Sequence, residues 1–357
     1  MAEGRRMVQM DLLRIAACLM VIGIHVIGEA LPKTILGTFQ WYVLTAYESV
    51  LRAAVPVFFM LSGMFSRSTD WRRSLKKAGY FFLLYLLATA FYQVVYLAEC
   101  YAAGAETRPL IPAAMDFLLQ GLVAPKYHLW FIPEYIAIVL AGPVLHAAIE
   151  RMPRLLAYMA AAFLLGTVAV DSALLFFGGH AVIGNIIRFL PDVRIEYLGY
   201  YALGRLMFEH RHRLTLRMRC ILVMLGALAM IWVFALTQAV SMRQGHMDET
   251  YYHHFFIGIC LEAVGWVALF DGIRIPQRWH GLIGRIASMT MSVYLTHAFV
   301  KEMMAYAGLR AQRITTVIGV PLKTAAVFVV CCGLCMVWRA LVRAAKHGLH
   351  GGKQTGE

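Results

Sequence analysis

The chain has 357 residues, of which 61% are hydrophobic and only 15% charged, against roughly 25% charged in an ordinary soluble domain. A soluble fold of this size would lack polar cover for so much apolar surface, which excludes a soluble enzyme, a DNA-binding domain, a coiled coil and a disordered chain. The net charge of +13 comes from 33 Lys and Arg against 20 Asp and Glu. The basic residues cluster between apolar spans, as the positive-inside rule gives cytoplasmic loops, and no nucleic-acid partner is implied.

A bilayer core of about 30 Å needs about 20 apolar residues per helix. Ten stretches read as spans: 11–31, 47–66, 78–98, 128–149, 155–177, 195–209, 220–240, 254–271, 286–306 and 316–338. The sixth is short and contains glycine. Segment 110–124 is apolar but broken by Pro112 and Pro125, which suits an interfacial or re-entrant position. Arg14 and His25 interrupt the first stretch, so it reads as a retained span and not as a signal peptide. Placing the N-terminus inside puts every basic cluster on one side: Arg5, Arg6 and Arg14; Arg67, Arg72, Arg73, Lys76 and Lys77; Arg151 and Arg154; the group Arg205 to Arg219; Arg274, Arg278 and Arg285; and Arg339, Arg343, Lys346 and Lys353. The expected fold is therefore an all-α integral-membrane bundle of about ten transmembrane helices with both termini cytoplasmic. It reads as one domain over 1–357 with short cytoplasmic tails, 1–10 and 339–357. Cys18, Cys220, Cys260, Cys331, Cys332 and Cys335 lie in apolar stretches and read as buried, inert thiols.

Ionisable groups inside spans are expensive and by default mark a functional path. The first span holds Asp11, Arg14, His25 and Glu29. Eleven residues make three helical turns plus about 20°, so Arg14 and His25 share a face, about 16.5 Å apart along the axis. Glu29 is one further turn along that face, in the i,i+4 position from His25. Arg14 alone is also explained by snorkelling to headgroups, and His25 by packing against another helix. Three such groups on one face are harder to explain by packing. Glu48 and Arg52, at i,i+4, are placed to pair with each other. His253 and His254 form a loop-edge pair without a third ligand in helical spacing, so no metal is expected.

Met10 to Ala17 followed by His25, Val57 to Phe65, His128 to Phe131, and Ser292 to His297 are four segments that, in register, resemble those of acyltransferase family three, polytopic membrane O-acyltransferases that act on cell-surface glycans and related acceptors. The opening from Met10 to Ala17 followed by His25 resembles the family's first-helix signature, an Arg and a His separated by ten residues. The stretch Val57 to Phe65, with Ser62-Gly63, resembles its aromatic-Ser-Gly segment. His128-Leu129-Trp130-Phe131, with Pro143 beyond, resembles its central His-Leu-Trp helix, and Ser292 to His297 its late Ser-x-Tyr-Leu-x-His segment. The family's paired arginines in the loop after the second span correspond here to Arg73 and Lys76. Lysine keeps the charge but not the planar fork that suits phosphate; an ordinary topogenic cluster explains the loop as well.

The resemblance implies transfer of an acyl group, acetyl in the first instance, from cytoplasmic acyl-CoA (acetyl-CoA as donor, no metal) to a hydroxyl of a cell-surface or lipid-linked glycan. His25 would be the general base, oriented by Glu29, with Arg14, Arg73 and Lys76 at the CoA phosphates. An acyl-histidine intermediate is a second route. His128, Trp130, Glu134 and His297 are further cavity candidates. The expected setting is multi-pass in a bacterial cytoplasmic membrane, among lipids and polysaccharide biosynthesis proteins. A transporter or exporter of polysaccharide or a small polar solute is the competing reading, since buried charges and proline-interrupted helices occur there too.

Overall fold

The computed structural model describes residues 6–66, 69–180, 182–184, 196–309 and 316–351. Arg5, Arg67 and Lys353, which contribute to the orientation argument, lie outside them. Among the described residues the chain is helical and contains no strand. Eight helical stretches among the described residues are long and apolar enough to cross a bilayer. Two shorter helices, Glu196–His210 of 15 residues and Thr290–Tyr306 of 17, fall where the sixth and ninth spans are expected. The architecture is an all-α polytopic membrane protein.

The helices are α1 (Val8–Ala30), α2 (Phe39–Leu51), α3 (Ala54–Phe65), α4 (Trp71–Ala102), α5 (Leu110–Val123), α6 (Phe131–Arg151), α7 (Arg154–Ala162), α8 (Ala169–Phe177), α9 (Glu196–His210), α10 (Leu216–Gln244), α11 (Ile257–Asp271), α12 (His280–Ala287), α13 (Thr290–Tyr306) and α14 (Thr316–Gly351). Side-chain oxygens cap α2, α4 and α10 at the start. Thr38 Oγ1 accepts from Trp41 N on α2, Asp70 from the amides of Arg72 and Arg73 on α4, and Thr215 from Met218 N on α10, satisfying donors that a helix start leaves without partners. At its far end α10 stops at Gly245, whose φ of 76° is left-handed backbone open to glycine.

Two compact units divide the chain. The first comprises 1–58 and 214–357, the second 59–213. In the first unit α1 is the central helix. It packs against α2, α11, α12, α13 and α14, and 67% of its apolar window is buried, against 22% for α10 and for α14. The core around it joins Ile22, Val26 and Ile27 to Trp41, Val293, Val327 and Cys331. Cys18 and Cys332 are also buried there, and Cys260 and Cys335 are buried as the apolar setting implies, whereas Cys220, expected to be buried, is exposed near the start of α10. Helices α10 and α11 cross at Gly226 and Gly265, where a Cβ on either would lie 2.9 Å from the other's Cα. Small residues let membrane helices approach this closely.

The second unit packs α4 against α5 and α6, and α9 against α6 and α7. Between α7 and α8 the helix runs through a π-turn, Phe163–Val168. A Cβ on Gly63 of α3 would lie 2.0 Å from the Tyr201 carbonyl oxygen, and one on Gly204 of α9 would lie 2.2 Å from that of Met60. The Ser62-Gly63 segment is therefore the contact by which α3 meets α9. Tyr80, Phe82, Leu83, Leu87 and Phe91 of α4 are exposed, as lipid-facing side chains of a spanning helix are.

Candidate active site around the first helix

Asp11 organises the N-terminal end of α1. Arg6 Nε donates to its Oδ2, and Arg14 Nη1 donates to Oδ1 over 3.1 Å. Arg6 Nη2 also reaches the carbonyl of Gly284 on α12 at 2.9 Å. The acid is buried and Arg14 partly exposed, so the arginine that the spacing singles out is held one turn above a fixed carboxylate.

His25 stands about three turns further along, against α13. Its ring stacks on His297, with centroids 5.2 Å apart and planes 22° from parallel. His297 is fully buried, whereas His25 is partly open. His297 Nδ1 lies 2.6 Å from the Tyr294 carbonyl. A carbonyl only accepts, so Nδ1 carries a proton and the ring's orientation is fixed. One turn beyond His297 on α13, buried Lys301 donates from Nζ to the His25 carbonyl at 3.3 Å. Lys301 and Arg52 are both close enough for their charges to act on the His25 ring.

Glu29 closes this face of α1. Its Oε2 accepts from Lys323 Nζ of α14 at 2.8 Å, a partner on a different helix from the one that the i,i+4 spacing offers. The lysine side chain is 5% exposed and the carboxylate 20%, so the pair sits largely out of solvent. The Glu48–Arg52 pair forms as the spacing implies, with Glu249 as a second acid on the same guanidinium at 3.1 Å. Sequence reasoning missed Lys301 and Lys323. The only signal was their position within apolar helices, where a lysine is costly unless partnered.

Of the remaining candidates, His297 belongs to the first unit and lies beside His25. His128, Trp130, Glu134, Arg73 and Lys76 belong to the second. His128 is 2% exposed and wedged edge-on between Tyr92 and Tyr127, with centroids at 5.1 and 5.5 Å. Trp130 packs on Tyr197 at 5.8 Å, and Glu134 is half-buried with Glu196 as its charged neighbour. Arg73 is 82% exposed and pairs with the capping Asp70 at 3.1 Å; Lys76 is exposed.

The first unit thus offers a partly open imidazole, a buried imidazole stacked on it, and a buried ammonium at its backbone. That set can accept a proton and place positive charge beside a reacting carbonyl. Residues 7–337 match the family model described as an acyltransferase domain, the third acyltransferase family. No curated protein and no solved structure matches the chain.

Proposed function

The chain belongs to the third acyltransferase family, and from that premise we propose that this multi-pass membrane acyltransferase moves an acetyl group from cytoplasmic acetyl-CoA to a glycan hydroxyl. The glycan is at the cell surface or linked to lipid, and the membrane is a bacterial cytoplasmic membrane with both of the protein's termini inside. The observation that carries the reading is His25, partly open while its stacking partner His297 is fully buried.

In the proposed reaction the acceptor oxygen attacks the thioester carbonyl while the His25 imidazole takes the hydroxyl proton. A C–O bond forms and the C–S bond breaks. The imidazolium then returns its proton to the departing CoA sulfur, which leaves His25 as it began. Lys301 supplies positive charge to the carbonyl oxygen as it becomes anionic. Glu29 acts through Lys323 to hold the end of α1 that carries His25. Arg14, steadied by Asp11, is a donor-binding residue. Exposed Arg73 and Lys76 attract the CoA phosphates by charge.

The test uses radiolabelled acetyl-CoA and sealed membrane vesicles. Added to inside-out vesicles that contain the protein, it should leave label on a glycan; added to right-side-out vesicles it should leave none. Label on neither, together with protein-dependent movement of a polar solute, would replace this reading with the exporter.

A further inference from the structure

Away from His25, the short helix α12 ends in a cluster of arginines drawn from three segments of the first unit. Arg6, just before α1, donates from Nη2 to the Gly284 carbonyl at 2.9 Å. Arg339 of α14 donates from Nη2 to the Ser288 carbonyl at 2.8 Å and from Nη1 to Ser288 Oγ at 3.1 Å. Ser288 N in turn donates to the Gly284 carbonyl at 3.2 Å, so both guanidiniums grip a single helical turn. Arg285 lies within that turn, its carbonyl accepting from Ser288 Oγ at 2.7 Å. Arg343 stands one turn beyond Arg339 and folds back on it, Nε donating to the Arg339 carbonyl at 3.1 Å.

This charge is exposed and scarcely opposed. Arg285, Arg339 and Arg343 all face outward, and among the described residues no acid pairs with any of them. Asp11 answers only Arg6 and Arg14. Arg339 spends two of its five N–H donors on Ser288 and keeps three, held in place by that grip. A guanidinium already fixed loses less freedom when it takes up an anion.

Large apolar side chains stand beside the arginines. Trp338 and Leu341 flank Arg339 along α14 and are exposed, as are Trp279 and Leu282 on the approach to Arg285. Leu282 and Arg285, three apart, share a face of α12. Arg339 and Arg343 fall in the last turns of the membrane-length stretch Val317–Ala344, the depth at which a bilayer presents its phosphates. A soluble phosphate offers nothing to Trp338 and Leu341. A phospholipid supplies an anion for the guanidiniums and acyl chains for those side chains. Its headgroup should be net negative, since the ammonium of a zwitterionic one is repelled by the same arginines.

We propose that Arg285, Arg339 and Arg343 bind the phosphate of an anionic phospholipid, seated where α12 meets α14 with its chains along Trp338 and Leu341. Arg6 ties the same turn of α12 to Asp11, and Asp11 holds Arg14, so the lipid also braces the end of α1 that carries Arg14. The site does not depend on the acyl-transfer reading.

The test adds dioleoylphosphatidylglycerol or dioleoylphosphatidylcholine to the full-length protein in dodecyl maltoside and counts bound lipid by native mass spectrometry. Wild-type protein should retain the glycerol lipid and release the choline lipid. Arg285→Gln removes a side chain with no hydrogen bond or ion pair among the described residues and should weaken phosphatidylglycerol binding about 5-fold. Arg285, Arg339 and Arg343 all changed to Gln should weaken it about 100-fold. Changing Arg151, Arg154 and Arg213 to Gln removes the same charge from exposed positions of the second unit and should leave binding as in wild type. Arg339 also holds Ser288, so thermal unfolding without lipid checks the triple variant; if that variant does not fold, Arg285→Gln decides the matter. Equal retention of the two lipids by wild type, an equal loss in the control variant, or unchanged binding by folded Arg285→Gln overturns the site. A folded triple variant that keeps phosphatidylglycerol but shows a raised KM for acetyl-CoA assigns these arginines to the donor's phosphates and overturns the lipid site.

Discussion

Replacing Lys323 by Met tests whether the ion pair between α1 and α14 holds the catalytic face in place. Lys323 is 5% exposed and Glu29 20%, so the substitution strands a mostly buried carboxylate. Removing one partner of a buried pair costs about 3–5 kcal/mol. The one-fifth of Glu29 that is exposed lets solvent or headgroups recover part of that, which brings the expected loss to about 2–4 kcal/mol. Adding Glu29→Gln removes the stranded charge, so the double variant should recover most of the loss, and the pairwise coupling should be about 2–3 kcal/mol. Unfolding in mixed detergent and SDS, followed by tryptophan fluorescence, gives all four corners of the cycle. A loss below about 0.5 kcal/mol for the single variant, in the range of an exposed surface pair, would refute the reasoning. So would a double variant no better than the single. Acyl transfer measured on the same four proteins separates the roles of Glu29, because a folded double variant that stays slow needs the carboxylate itself.

His25→Ala should insert and fold normally yet lose about 10²–10⁴ in acyl-transfer rate, whereas His297→Ala, which removes the stacked neighbour, should retain more; wild-type transfer by His25→Ala would end the general-base assignment. Replacing Arg73 and Lys76 together by Ala should raise the KM for acyl-CoA with less effect at saturation, and an unchanged KM would return that loop to a topogenic role. Gly63→Ala should destabilise by about 1–3 kcal/mol, because its new Cβ would fall 2.0 Å from the Tyr201 backbone oxygen. Gly28→Ala, with nothing within 4 Å of its Cβ, should leave detergent unfolding unchanged or shift it slightly towards greater stability.

Hydropathy located the spans because a bilayer selects for apolar length, and helical arithmetic placed Arg14, His25 and Glu29 on one face of α1 because that relation is local. Boundaries were less legible. The second span, read as 47–66, is two helices, Phe39–Leu51 and Ala54–Phe65. Gln40, Thr45 and Glu48 depress its first half, although Thr45 and Glu48 are buried. Helices α4 and α14 run beyond their apolar windows, since helix formation continues where hydropathy ends and Ala, Leu and Arg are good helix formers. The partners of the α1 face were not legible. Lys301 and Lys323 meet His25 and Glu29 only after α13 and α14 have packed on α1, and no local period encodes that. Glu48 and Arg52 were legible as a pair because the i,i+4 relation is local, whereas Glu249 reaches the same guanidinium from 197 residues away.

The central helix has a consequence for the order in which the protein assembles. α1 is made before α12, α13 and α14, yet those helices carry groups that satisfy it. Arg6 meets Gly284 across 278 residues of sequence, Lys301 meets His25 across 276, and Lys323 meets Glu29 across 294. At about 5–20 residues per second of synthesis, Glu29 waits about 15–60 s for its ammonium. Asp11 and Arg14 pair within α1 itself, but during that interval a histidine and a glutamate sit in a helix that lipid alone would hold poorly, and the insertion machinery is the natural host for it. Photo-crosslinks from position 25 in arrested nascent chains should run to that machinery before residue 301 has emerged, and to α13 once the chain is complete.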